Sequence, residues 1–385
     1  QPTIRALPKQ YQAPFTQSLL ITKAHIDRRG AVIASTDSAM LQHWRDVYAY
    51  AWPRDGAYVV WPLIRLGYYD EPYRFFDFCR RGLNAGGYLS HKYRADGALG
   101  SSWHSYLQKD GSVAPPIQTD ETAGVLFVFT QFYQSTEDPK LLHDFYEPLV
   151  VPMADFLAGY VDDKTKLPKA SYDLWEEQYL TTTYTTAVTY AALLAAATLA
   201  EYRKDLDNVV KWRAAAETMA EKARVICYDK DRRYFIKGIE TDKEGNITPN
   251  TTLDMSALYG AFMYGLFSVD SPEVRQSIET AKQTFGFDPN WPGLPRYKDD
   301  NYQRAQPDRP NVWPIVSLWL AQYSLEQNDT QLATGIIDWV TGLMRSTGVL
   351  PEQICPANHC NLSVEPLTWS QAEYLSTLLD LTVDK

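Results

Sequence analysis

Two kinds of helical segment alternate along this chain, and that alternation limits the folds open to it. A period near 3.6 predicts helices at 13–27, 55–67, 70–83, 119–135, 138–160, 182–202, 206–227, 252–266, 271–286, 311–327, 329–346 and 367–382. Every second one is apolar nearly all round: 56–66, 123–132, 187–200, 255–267, 313–323 and 367–379. The others carry charged stripes, as at 207–225 and 272–285. A helix apolar on every face must be buried, whereas an amphipathic one lies at the surface. Six inner helices are therefore expected, each preceded by an outer one.

The connections alternate too. Those leading from an outer to an inner helix are long (28–54, 84–118, 161–181, 228–251, 287–310 and 348–366), and the returns, such as 67–69, 136–137 and 327–328, are short. This pattern describes an all-α (α/α)6 toroid of six helical hairpins with every long loop on one rim. Long loops in a compact domain are usually functional, so the active site is expected on that rim. A helical solenoid is the competing architecture, but no fixed-period repeat is present. Residues 228–248 read as a small hairpin and no other strand is convincing. No linker divides the chain, so one domain over 1–385 is expected.

Composition narrows the partners. A net charge of −10 with no basic run disfavours nucleic acid. The most apolar stretch, 182–200, is Ala- and Thr-rich and fits an interior helix better than a membrane span. A monomer is expected. The chain starts at Gln1 without Met, from which we expect a removed signal peptide and a secreted or periplasmic protein, with cytoplasmic as the alternative. Cys79 and Cys227 fall in apolar helical patterns and read as buried thiols, whereas Cys355 and Cys360 share a loop and could form a disulfide. No metal-binding spacing is readable, and neither a metal nor a cofactor is expected. The 11 Trp and 26 Tyr suit stacking on sugar faces as well as core packing.

Chemistry-bearing groups collect on the long loops. Tyr172-Asp173-Leu174-Trp175-Glu176-Glu177 places three carboxylates around a tryptophan; if sheltered, they raise one another's pKa, and if solvated, they merely open a helix. Leu350-Pro351-Glu352-Gln353 sets one carboxylate among apolar neighbours, or simply in a turn. Tyr50-Ala51-Trp52-Pro53-Arg54-Asp55 offers an Arg–Asp pair able to grip vicinal hydroxyls, although Asp55 could equally be an N-cap. Trp103, beside Ser101 and Ser102, could be a sugar platform or a loop anchor. Asp120 opens an inner helix, where capping explains much of it. Arg296 and Tyr302 flank Asp299 and Asp300, which lack calcium-loop spacing.

The strings GAVIAST, YAYAWPRDG, IQTDETA, YDLWEE, GLPRY, LPEQ and PLTWS, in this order, resemble glycoside hydrolase family 15, the glucoamylase family. The resemblance runs from about residue 18 to the C-terminus and implies an (α/α)6 barrel that hydrolyses α-glucosides with inversion. It implies Glu176 as general acid, Glu352 as general base, and Glu177 as a sugar ligand in the next subsite. Arg54 and Asp55 would hold a terminal glucose, with Tyr48 and Trp369 beside it and the Leu174 carbonyl accepting a hydroxyl. Arg296 would bridge two subsites, and Tyr302 would face the leaving sugar. Trp52, Trp103, Asp120 and Trp175 complete the expected sugar-binding set. Inverting carboxyls stand roughly 6.5–9.5 Å apart to admit a water, which adjacent Glu176 and Glu177 cannot do across one bond. The implied substrate is an α-glucan oligo- or polysaccharide cut from its non-reducing end to β-glucose, with isomaltosides, dextran or trehalose, or a catalytically silent binding homologue, as alternatives. Many bacterial relatives add an N-terminal β-sandwich, for which this chain has no room; it also shows no starch-binding module, and its Cys355–Cys360 spacing departs from the family pattern.

Overall fold

A computed structural model describes residues 6–43, 46–105, 107, 111, 117–242 and 244–382. The expected domain of 1–385 and the 84–118 loop thus extend partly outside the described residues. The helices are α1 (Lys9–Ala24), α2 (Pro53–Arg65), α3 (Asp70–Gly82), α4 (Thr119–Thr136), α5 (Pro139–Phe145 and Val151–Gly159, joined by a π-helical turn at Tyr146–Val150) and α6 (Thr183–Arg203). They continue as α7 (Leu206–Ile226), α8 (Met255–Met263), α9 (Pro272–Thr284), α10 (Pro314–Glu326), α11 (Thr330–Leu343) and α12 (Thr368–Leu381).

The even-numbered helices form a closed ring. α2 packs on α4, α4 on α6, α6 on α8, α8 on α10, α10 on α12, and α12 back on α2. The odd-numbered helices lie outside, with α1 sealing the seam against α12. This is the (α/α)6 barrel expected from the alternation. α6 is long and apolar enough to cross a membrane by length and composition, but 83% of that stretch is buried inside the barrel. Three inner elements interlock at the axis: Tyr58 Oη lies 2.7 Å from Tyr184 Oη and 2.9 Å from Tyr264 Oη.

Local chemistry sets the starts of the helices. Asp205, Ser271 and Asp329 cap outer helices α7, α9 and α11 through their side chains. Inner helices α2 and α10 begin differently, with Trp52-Pro53 and Trp313-Pro314. A residue before proline is held extended and proline suits a first helical turn, so each tryptophan projects at the rim rather than entering the helix. Trp52 is the N-cap position of α2 and Asp55 lies in its first turn, so the N-cap reading of Asp55 does not hold. Asp120 likewise sits inside the first turn of α4, after the uncapped position Gln118.

The rim loops contain more β-structure than the periodicity shows. Strands β1 (Ser171–Tyr172), β2 (Tyr179–Thr182), β3 (Tyr228–Asp229), β4 (Tyr234–Thr241) and β5 (Ile247–Leu253) form one antiparallel sheet, ordered β1-β2-β4-β3 with β5 also on β4. The expected hairpin at 228–248 is its β3–β4–β5 portion. β5 also explains why α8 starts at Met255 rather than near 252. A second ladder pairs β6 (Gln353–Ile354) with β7 (Asn361–Leu362). Cys355 and Cys360 lie between these two strands, but all four cysteines are free thiols. Cys355 is turned inward, with Gln306 Nε2 at 3.9 Å from its Sγ, whereas Cys360 is exposed, so the disulfide does not form.

Gly56 tests the tightness of the inner–outer contact. A Cβ there would lie 2.2 Å from Cε2 of the buried Phe75 ring on α3. Gly56→Ala gains up to about 1 kcal/mol of helix propensity but overpacks by about 1–3 kcal/mol. A lower melting temperature than the parent is expected, and an equal or higher one would contradict the packing.

Candidate active site

The rim expected to be functional carries a pocket lined by Ala34, Tyr48, Trp52, Arg54, Asp55, Trp103, Leu174, Trp175, Glu176, Arg296, Tyr302, Trp313, Glu352, Leu367 and Trp369. Its floor is organised by Arg54, at the start of α2. The guanidinium donates to Gln118 Oε1 at 2.8 Å and to Asp55 Oδ1 at 3.3 Å, and lies 3.4 Å from Asp120 Oδ2, Glu121 Oε1 and Glu176 Oε1. The Arg54 amide also donates to Glu121. Burial disfavours its charge, but Glu121, Asp55, Asp120 and Glu176 hold it protonated. Burial raises those carboxyls in turn, Asp120 to about 6 and Glu176 to about 7, with Arg54 opposing both shifts.

Glu176 is carried on a tight loop between β1 and β2. Asp173 shapes that loop: its Oδ1 accepts from the amides of Glu177 (2.7 Å) and Gln178 (3.0 Å), and its carbonyl accepts from the amide of Glu176 (2.9 Å). Glu176 itself has φ 63°, a left-handed conformation unusual for a residue with a Cβ and sustained only by such surroundings. Lys237 on β4 locks the assembly from below, with its Nζ 2.7 Å from Asp173 Oδ2 and 3.3 Å from Asp254 Oδ2. Asp254 also accepts from Trp175 Nε1 at 3.1 Å. Burial opposes ionisation of both partners, yet the pair holds Asp173 below and Lys237 above its ordinary value.

Glu352 faces the same pocket from another loop. It is more buried than Glu176, and burial raises its pKa as well. Its neighbours differ. Oε2 accepts from the Ser363 hydroxyl and from Gln353 Nε2 at 3.0 Å, and both bonds favour the carboxylate. Gln353 is oriented by Asn311 Nδ2, 2.7 Å from its Oε1.

Arg296 is clamped by both oxygens of Asp300 (2.7 and 2.8 Å) and donates to Glu177 Oε1 at 2.8 Å. Its cation lies over the rings of Trp313, Tyr302 and Trp175 at 4.7, 4.9 and 5.1 Å. Tyr48 Oη meets Tyr302 Oη at 2.8 Å, and Tyr48 packs with Trp52 and Trp103 at centroid distances of 5.7 and 5.6 Å. Trp369 stacks on Tyr58 at 4.9 Å while its Nε1 donates to buried Glu373 at 3.1 Å.

Of the sequence-derived residues, the pocket brings together all but two. Asp120 lies behind Arg54, and Glu177 lies behind Arg296, where Tyr297 also donates to it. Sequence reasoning missed Trp313, Ala34 and Leu367 on the lining and Lys237, Asp254, Ser363 and Glu373 behind it. The repeat of Trp-Pro at the start of α10, matching that of α2, was a readable signal for Trp313. Lys92 was also missed; its ammonium sits 3.7 Å over Trp103, and burial lowers its pKa to about 8.

Comparisons with known proteins agree with the fold and identify the family. The sequence model described as glycosyl hydrolases family 15 matches residues 10–328. An uncharacterized glycosyl hydrolase from Methanocaldococcus jannaschii is 27% identical, across 97% of this chain and 56% of its own length. A glucoamylase from a Clostridium species is 23% identical, across 94% of this chain and 52% of its own length. The chain thus spans about half the length of these curated relatives. Among solved structures, a bacterial glucoamylase complexed with acarbose superposes with a TM-score of 0.79 at 21% identity, covering 98% of this chain and 57% of that one. A glucoamylase from Saccharomycopsis fibuligera does so with a TM-score of 0.75 at 16% identity, covering 97% and 94%. These likenesses show the shared fold, and the sequence match shows the family: the chain belongs to glycosyl hydrolase family 15.

Proposed function

We propose that the chain is an inverting, exo-acting α-glucoside hydrolase of the glucoamylase type, with Glu176 as general acid and Glu352 as general base. The observation that carries this reading is the contrast between the surroundings of two carboxyls that line one pocket. Glu176, desolvated and beside the Asp55 charge, is raised to about 7 against the pull of Arg54, Lys92 and Trp52, and can hold a proton. Glu352, with two donors on one oxygen, is suited to remain ionised. Paired groups with divergent environments are how one site runs acid and base chemistry together.

In this mechanism Glu176 protonates the glycosidic oxygen as the bond to the anomeric carbon breaks, and Glu352 removes a proton from the water attacking the opposite face. Arg54 and Asp55 grip the terminal sugar at the floor. The barrel beneath them is closed by packed aromatics, which favours removal of single units from a chain end. Arg296, held by Asp300 and Glu177, is placed to reach toward the next sugar. The fold relatives include a glycosidase solved in complex with glucose, which supports a glucose-sized terminal site. The substrate proposed is an α-glucan fragment. Secretion or periplasmic export belongs to the proposal only because a polymer is best cut outside the cell.

Glucose release from maltose, maltooligosaccharides, soluble starch, isomaltose and trehalose tests the substrate class. Activity on the first three is expected to dominate, dominance of isomaltose or trehalose would redirect the linkage, and no release from any would reject the enzyme reading. Glu176→Gln and Glu352→Gln should each lower kcat by about 10²–10⁴-fold. On α-glucosyl fluoride, whose leaving group needs little protonation, Glu176→Gln should recover most of the rate and Glu352→Gln should not. The opposite pattern would exchange the two roles.

The pH profile follows from the same assignment. The active form has Glu176 protonated and Glu352 ionised. kcat/KM should fall on the alkaline side with an apparent pKa of about 7, as Glu176 loses its proton. It should fall on the acidic side as Glu352 gains one, at a pH above the ordinary glutamate value because burial raises it. A flat profile from pH 5 to 8 would reject this ionisation scheme.

A further inference from the structure

Behind Glu176, on the side away from the pocket lining, stand two histidines that the proposed mechanism does not use. One ring nitrogen of His91, one of His104 and one carboxylate oxygen of Glu176 all lie within 4.8 Å of one another. His91 Nε2, His104 Nε2 and Glu176 Oε2 are each buried without a hydrogen-bond partner among the described residues. Buried polar atoms are nearly always satisfied, so three such orphans at one place call for a common partner. The rings are not loosely placed. They pack on each other at 4.5 Å, and His104 lies flat on Tyr172 at 3.7 Å and 7°.

We propose that His91, His104 and Glu176 form a binding site for a divalent transition ion of the Zn²⁺ class, and that an ion held there inhibits the enzyme by occupying the Glu176 carboxylate. Two imidazole nitrogens and one carboxylate oxygen are a ligand set suited to Zn²⁺, with water completing the shell. Bonds of about 2.0–2.2 Å to such ligands require the three donors to close somewhat from their present spacing. Arg54 engages Glu176 through Oε1, leaving Oε2 without a hydrogen-bond partner among the described residues. The site is therefore inhibitory: it removes the oxygen that would carry the catalytic proton. Only that inhibitory half rests on the assignment of Glu176 as acid; binding itself does not.

The test uses the intact chain without substrate. Calorimetric titration with ZnCl₂ should show one saturable equivalent, and CoCl₂ should give the visible absorption of a low-coordinate site with imidazole ligands. His91→Gln and His104→Gln should each weaken Zn²⁺ binding at least tenfold, and the metal should inhibit hydrolysis reversibly with EDTA. The cobalt spectrum of the unaltered chain keeps the test valid should a variant fail to fold. No saturable binding up to millimolar Zn²⁺, or unchanged affinity in both variants, would overturn the proposal. Histidine-dependent binding together with a fully active Glu176→Gln would sustain the metal site and reject the acid assignment. Absence of binding with an inactive Glu176→Gln would do the reverse.

Discussion

The working end of this barrel depends on one buried cation. Arg54 is the positive centre among Asp55, Asp120, Glu121 and Glu176, and no other arginine contacts that group among the described residues. Isolated buried carboxylates are costly, and a shared guanidinium with fixed geometry offsets much of that cost. The arrangement ties three separate rim elements together: the start of α2, the start of α4 and the Glu176 loop. Asp120, Glu121 and Glu176 all lie 3.4 Å from the guanidinium, and burial raises each of them against its pull, Glu176 to about 7. The floor of the pocket and the ionisation of its wall are thus one electrostatic problem.

Lys237 has a parallel role deeper in the rim. It neutralises Asp173 and Asp254, which shape the Glu176 loop and hold Trp175. Asp173 uses its other oxygen to bind two successive amides, so hydrogen bonds fix the loop alongside the packing of Leu174 and Trp175 in the core. That accounts for a left-handed Glu176 without glycine. Elsewhere on the pocket lining, Gln353 and Ser363 achieve a similar fixation of Glu352 with neutral donors, and this difference in partners separates the two carboxyls chemically.

Much of the fold was legible because burial writes itself directly into helical periodicity. The all-round apolar character of 187–200 had one physical outcome, an inner helix, and α6 is that helix. The part of the sheet outside the expected hairpin was hidden because β1 is two residues long and β2 four, too short for alternation to register. Glu176, Glu352, Arg54 and Arg296 were legible as charged residues in long loops with matching family strings. Lys237 and Asp254 were not, since a lysine in a strand and an aspartate before a helix read as ordinary surface and capping residues. His91 and His104 follow no ligand spacing; they meet only because their loop folds back behind Glu176. The cysteine expectation failed for a related reason, in that proximity along the chain says nothing about which way a thiol points.

Everything proposed for this pocket comes down to Glu176 and Glu352 acting on opposite faces of one bond through an intervening water. Proton NMR of the first minutes of maltooligosaccharide hydrolysis reads that stereochemistry, since mutarotation is slow enough to leave the initial anomer visible. Inversion predicts that β-glucose accumulates first and relaxes to the equilibrium mixture. Initial α-glucose would mean retention through a covalent intermediate, and would contradict the paired acid and base.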